Sequence, residues 1–347
     1  LETIENAKQT RKMQLSGGST YIISLPKTWI EELKIKVGEN VTVVKNSNKS
    51  LTLYPRERNE PEEKNIAVIP SSQKDSGDSI KRKIIAAYLA GYKTIKIKTK
   101  GMRIPSEHAK SIRELVRSSM IGTEIVESSS ETMIIQILTR LPELSFDTAL
   151  RRMYLMANNM VKEAMEVLEE VDISHAEEVE NMDDEVDRFG LYMRRNLVLA
   201  VGNENILQDM GLQKPSDCLG YRAVVSRIER IADHARLIAK RTKFIEEKID
   251  PKIIDKIKNL SEKSLDVFEK SIAAVQEHDF EKGEQVAEKV RQVIDDEKHI
   301  MNKIKETERN STIIRFVLED LRRMAEYSSD IAEVAIDENI QSIISEE

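Results

Sequence analysis

The chain has 347 residues, 33% of them charged and 4% aromatic, with only 12 glycines; this is the composition of a soluble, helix-rich protein of two or three domains. No apolar run approaches the ~18 residues of a membrane helix, and no basic start leads into an apolar leader. The single cysteine, Cys218, excludes an intramolecular disulfide, so no membrane insertion and a reducing, cytoplasmic location are expected. The net charge of −7 is unevenly spread, with 24 basic and 16 acidic side chains in residues 1–142 but 30 and 45 in residues 143–347. A basic front and an acidic back imply different partners for the two halves.

The first segment is strand-like. "RKMQLSGG" gives way to "STYIISLP" across a Gly-Gly turn. Pro26 then opens "PKTWIEELKI" as the first residue of a short helix, with Trp29, Ile30 and Leu33 on one side. "KVGENVTVVKNSNKSLTLYP" reads as strand, polar turn at Asn46–Lys49, strand, with Val41/Val43 and Leu51/Leu53 alternating. Pro55 and Pro61 bracket a charged linker.

"SGGSTYIISLPKTWIEELKIKVGENVTVV", with "SLPK" entering the helix and "VGENV" returning as a strand, resembles the SpoVT/AbrB family of swapped-hairpin DNA-binding domains. The resemblance covers about residues 8–56 and implies a β-rich, intertwined homodimer on duplex DNA. So short a segment buries too little surface to stand alone. Across it nine Lys and Arg face three Glu, a surplus suited to phosphate contacts. Arg11, Lys12 and Lys27 are the leading DNA-binding candidates, followed by Lys34 and Lys36. Solvation of a small domain is the plain alternative for these lysines.

The second segment, about 65–141, reads β-α-β-α-β-β. "NIAVIP" is a strand and "DSIKRKIIAAYLAGY" a helix capped by Asp78 or Ser79 and stopped at Gly91. "KTIKIKTKG" is a strand, "PSEHAKSIRELVRSSMIG" a helix, and "TEIVES" with "ETMIIQIL" a hairpin. This is a small α/β domain without a Gly-rich phosphate loop. Lys96, Lys98 and Lys100 share one side of a strand, as on an edge defended by lysine. His108, beside Glu107 and without a ligand partner at metal spacing, reads as a surface residue.

The third segment, about 143–347, is helical, with six helices expected near 146–170, 174–205, 216–248, 251–277, 280–306 and 310–345. The first three repeat in the last three. "HARLIAKRT" after Asp233 parallels "IAEVAIDEN" after Asp330, each with an acid four residues earlier, Glu229 and Glu326. A duplicated three-helix unit, about 146–248 and 251–345, is the economical reading. Two acids at i and i+4 on one helix face repel by a few tenths of a kcal/mol; nearby arginines or a bound cation would hold them.

"ENMDDEVDRF", "RIERIADHARLIAK" and "RRMAEYSSDIAEVA" resemble the PhoU family of phosphate-uptake regulators over most of 146–345. The resemblance implies an all-α pair of three-helix bundles. It also implies acid-x-x-x-Asp motifs that face one another and bind metal, a divalent or ferric ion by the hardness of the oxygen donors. On this chain the metal candidates are Asp183 and Asp187 opposite Glu229 and Asp233 in the first bundle. In the second they are Glu326 and Asp330, with Asp295 and His299 as the nearest partners. An ordinary solvated charged face is the alternative.

Catalysis is not expected. A carboxylate oxidase bundle needs paired Glu-x-x-His, whereas only Asp172/His175 and Asp296/His299 show acid-x-x-His spacing. PhoU relatives accompany a phosphate ABC transporter, which the resemblance makes a possible partner here. With its own DNA-binding front end, the chain reads as a one-component transcriptional regulator of phosphate uptake. A transporter-associated regulator that uses its front domain only to dimerise is the second reading. An architectural DNA binder with a metal-sensing helical domain is the third.

Overall fold

Period-2 and period-3.6 apolar patterns succeed one another along the chain, and the computed structural model, which describes residues 9–45, 50–54, 66–138, 145–305 and 309–344, follows that order. The chain divides into two compact units, residues 1–62 and 63–347.

The first unit contains two antiparallel hairpins and a short helix among its described residues. Strands β1 (Gln14–Ser16) and β2 (Thr20–Ile22) pair with Gln14 opposite Ile22. Gly17 and Gly18 turn between them at φ 63° and 82°, backbone that only glycine adopts without cost. Pro26 sits just outside helix α1 (Lys27–Glu32), at the cap and not at the first helical position. Strands β3 (Thr42–Lys45) and β4 (Leu51–Tyr54) form the second hairpin, with Val43 opposite Leu53. The turn expected at Asn46–Lys49 and the linker at 55–64 lie outside the described residues.

The second unit begins with an α/β layer. Its elements are β5 (Ile66–Pro70), α2 (Gly77–Leu89), β6 (Thr94–Lys98), α3 (Ser106–Ser119), β7 (Thr123–Ser128) and β8 (Thr132–Ile137). The sheet order is β5-β6-β8-β7, with β5 and β6 parallel and the other pairs antiparallel. The side chain of Ser76, rather than Asp78 or Ser79, caps α2. Ile80, Ile84, Tyr88, Ile95, Ile97 and Ile112 are fully buried between helices and sheet.

Two expectations for this layer are corrected. Strand β6 is interior, so Lys96 and Lys98 do not defend an edge. They stand on the sheet face opposite the buried Ile95 and Ile97, because alternate side chains must point away from the core. His108 is buried, not a surface residue. Its Nδ1 lies 2.9 Å from Ser71 Oγ and its Nε2 2.7 Å from the Asp75 carbonyl. The carbonyl can only accept, so Nε2–H donates to it, while Nδ1 and the Ser71 hydroxyl share the second hydrogen bond. This imidazole fastens the 71–76 loop to α3.

The helical region comprises α4 (Phe146–Glu170), α5 (Ile173–Val201), the short α6 (Glu204–Asp209), α7 (Asp217–Thr242), α8 (Pro251–Glu277), α9 (Phe280–Met301) and α10 (Ser311–Asn339). The repeat is visible in its joints. Val171 and His278 end α4 and α8 in the left-handed conformation, at φ 58° and 52°. Asp172 and Asp279 then accept N–H groups of the next helix. Asp250 caps α8 with Pro251 in its first turn. The second helix is shorter than expected, because Gly202 ends it and Asn203 caps the added turn α6.

One apolar core runs through both three-helix sets, and their third helices, α7 and α10, pack on each other. His234 Nδ1 of α7 lies 2.8 Å from Asp320 Oδ1 of α10, and Arg241 pairs with the same buried carboxylate. The α/β layer is joined to this bundle through α5. Leu191 belongs to the layer's own core. The buried Arg195 donates to the carbonyls of Tyr88 and Tyr92, at 3.0 Å for Tyr92, and lies 4.6 Å over the Tyr88 ring. Gly91, at φ 92°, leaves room for Leu199, whose Cδ2 would stand 2.8 Å from any Cβ there. The junction expected at Leu141–Pro142 lies outside the described residues.

Candidate functional site

On α5 the buried stripe Ala176, Val179, Asp183, Val186, Gly190 advances in steps of three and four, so Asp183 occupies a position that helical periodicity turns to the core. On α7 the buried stripe Val225, Ile228, Glu229 and Ala232, at i, i+3, i+4 and i+7, turns Glu229 to the core in the same way. Gly190 makes the approach possible, since a Cβ there would meet Glu229 Oε1 at 2.2 Å.

Asp183, Asp187, Glu229 and Asp233 act on one another electrostatically. Burial first, then the charge of Asp187, pushes Asp183 up to about 6. Burial pushes Glu229 up to about 7 against the opposing pull of Arg194. Asp187, whose surface is exposed although the cluster crowds it, is raised by desolvation and by Asp233. The helices therefore bring the four first-bundle candidates into one neighbourhood.

Arginines enter that neighbourhood. Arg236 places Nε 2.6 Å from Asp183 Oδ2 and Nη2 3.0 Å from Asp233 Oδ1. Arg194 Nη2 lies 2.8 Å from Glu229 Oε1. Arg230 Nη1 lies 3.5 Å from Asp233 Oδ2. Asp183 Oδ1 and Glu229 Oε1 are buried without an aligned hydrogen bond. Among the described residues no three His, Cys, Asp or Glu form a group that could hold a metal ion. In this arrangement guanidinium groups stand where a cation would, and the residues as placed do not fit a metal.

The second-bundle candidates are dispersed. Asp330 faces α7, with Arg227 Nε 2.7 Å from its Oδ2. Glu326 is held by Arg322 and by Arg323, the latter at 3.1 Å. Asp295 is 78% exposed and 3.5 Å from Lys298, and His299 lies on a groove with Lys263 and Asp296. The buried acid of α9 is Glu297, 3.9 Å from Arg322 and raised by desolvation. The residue stripe Val286, Val290, Val293, Glu297, Ile300 carried that signal. The acid-x-x-x-Asp pattern pointed past it.

In the N-terminal unit, Arg11, Lys12, Lys27, Lys34 and Lys36 are all exposed. Lys27 opens α1, 88% exposed and 3.5 Å from Glu31. Lys34 follows α1 at φ 57°. Most of the unit's apolar side chains are exposed as well, including Leu15 at 59%, Tyr21 at 67%, Val43 at 57% and Leu51 at 65%. Pro26 alone is buried among its described residues.

Comparison with known proteins agrees with this division. Residues 150–242 match the PhoU domain family, and residues 14–61 match the family of MazE, the bacterial antitoxin of antidote-toxin recognition. No curated protein sequence matches the chain. Among solved structures, PhoU from Pseudomonas aeruginosa is similar at 18% identity and a TM-score of 0.50, covering 56% of this chain and 95% of that one. The phosphate transport system regulatory protein PhoU from Streptococcus pneumoniae is similar at 19% identity and a TM-score of 0.48, covering 58% and 96%. No helix among the described residues is long and apolar enough to cross a membrane. The chain joins a MazE/AbrB-like N-terminal domain to a helical region with the PhoU-like fold.

Proposed function

We propose that the protein is a dimeric, DNA-binding transcriptional regulator of phosphate uptake. The observation that carries this reading is the N-terminal unit, whose strand residues Leu15, Tyr21, Val43 and Leu51 are exposed in the single chain. Two-stranded hairpins with uncovered apolar faces are marginal alone, and a second copy supplies the missing layer. Such a dimer presents two sets of Arg11, Lys12, Lys27, Lys34 and Lys36 to a duplex. The PhoU domain match supplies the link to phosphate.

A salt titration of native promoter fragments, followed by fluorescence anisotropy, tests this. If each protomer neutralises about three phosphates, log affinity falls against log salt with a slope near −5. Arg11→Ala and Lys27→Ala each flatten the slope by about two units in the dimer. Lys98→Ala, on the α/β sheet, leaves it unchanged. No binding by the wild type at low salt would leave the transporter-associated reading, with the front domain serving dimerisation only.

A further inference from the structure

Where the α/β layer meets the first helical set, a cavity of about 510 Å³ opens between α3, the β7 region and α5. Three arginines line it. Arg113 and Arg117, four apart on α3, share one helix face, and Arg188 reaches in from α5. Arg113 and Arg117 have no hydrogen-bond or ion-pair partner among the described residues. The acid between them in sequence, Glu114, is turned to Lys81 of α2 at 2.8 Å. Arg188 has only a long contact, 3.4 Å, to Glu185 on its own helix, and its Nε is buried without an acceptor. One carboxylate, Glu124, lines the same cavity, so its wall carries a cationic surplus. The exposed Leu138 and the half-buried Ile125, backed by the buried Val116 and Met120, supply an apolar wall.

We propose that this cavity binds a phosphorylated small molecule, with its phosphoryl oxygens on Arg113, Arg117 and Arg188 and its organic part on Ile125 and Leu138. Guanidinium forks match phosphate geometry and keep their charge at any physiological pH. Three of them around one opening suit a phosphoryl group, which carries close to two negative charges at neutral pH. The volume is that of a small-molecule site and exceeds what a bare oxyanion fills. An apolar wall beside the cations separates such a site from a DNA-facing patch, which needs only cations. The inference stands on this geometry and not on the regulator reading.

Isothermal titration calorimetry on the full chain at fixed ionic strength is the test, with inorganic phosphate, AMP, ATP, glucose 6-phosphate, glycerol 3-phosphate and phosphate-free adenosine. At least one ester is expected to bind tenfold or more tightly than inorganic phosphate and adenosine. Arg113→Gln with Arg117→Gln is expected to weaken it at least tenfold, as is Arg188→Gln, while Lys110→Gln, outside the cavity, leaves it unchanged. Arg113 and Arg117 are exposed, so their variants are expected to stay folded, which circular dichroism checks. Saturable binding by none of the probes overturns the proposal. So does equal affinity in the Arg113/Arg117 double variant, or a loss confined to DNA affinity in that variant. Promoter binding measured in parallel separates a failure of this site from a failure of the regulator reading.

Discussion

Arg236 of α7 holds Asp183 of α5 at 2.6 Å and, with its other arm, Asp233 of its own helix at 3.0 Å. One guanidinium thus bridges the two helices that bear the candidate carboxylates. A buried acid in an apolar stripe is costly unless a charge or hydrogen-bond donor meets it. Removing the donor should leave Asp183 stranded. Arg236→Ala is expected to destabilise the chain by about 2 kcal/mol, below the full cost for a completely buried pair because part of the arginine is in solvent. Asp183→Asn in the same chain should recover much of that loss. Urea denaturation of the wild type, both single variants and the double variant measures the coupling.

The same arginines bear on the metal expectation. With Arg194, Arg230 and Arg236 beside the carboxylates, a cation would first have to displace them. Equal metal content is expected for the wild type and the Asp233→Asn, Glu229→Gln double variant after identical loading with Mg²⁺, Mn²⁺ or Fe³⁺. EDTA should leave the melting temperature unchanged. Metal bound stoichiometrically by the wild type and lost in the double variant would restore the metal reading.

Arg195 gives a prediction about cooperativity. It fills two carbonyl acceptors at the end of α2 and stacks on Tyr88. Arg195→Ala should remove both hydrogen bonds and leave a gap between the α/β layer and α5, at a cost of about 2–4 kcal/mol. Hydrogen exchange should show the amides of residues 66–138 losing protection more than those of α8 and α9. Uniform loss across both would mean that the layer is not an independent source of local opening.

Glu338 sets a pH dependence. Burial and the charge of Asp217 raise its carboxyl to about 7, with Tyr221 pulling the other way. Its folded pKa exceeds the unfolded value, so the folded state binds the extra proton. The stability it contributes is fully present below about 4.5 and is lost as pH rises through about 7. Glu338→Gln removes that loss. The variant's stability relative to the wild type should therefore be more favourable at pH 8 than at pH 5, by about 1–3 kcal/mol. Parallel thermal melts at the two pH values read the difference, and a pH-independent gap would refute it.

Much of this architecture was legible in the sequence because it is local. Period-3.6 stripes marked the start of every long helix to within one residue, since a start depends on groups one turn apart, whereas α5, α7, α9 and α10 end four to six residues before the expected positions. The β-α-β-α-β-β order and the Gly17–Gly18 turn were legible for the same reason. The duplication showed itself as repeated acid spacings, and the joints at Val171 and His278 repeat it in backbone conformation.

What only the tertiary structure decided was pairing across elements. Sequence order placed β6 beside β5 but did not insert it between β5 and β8, so its lysines read as an edge. His108 looked solvated because its partners, Ser71 and Asp75, come from a loop more than thirty residues away. The acids on α5 and α7 were legible as acids, but whether a metal or an arginine faced them depended on where Arg194 and Arg236 reach. Spacing along one helix fixes which side a charge is on. It carries no information about which opposite charge the neighbouring helix presents, and in a low-dielectric interior that choice sets the chemistry.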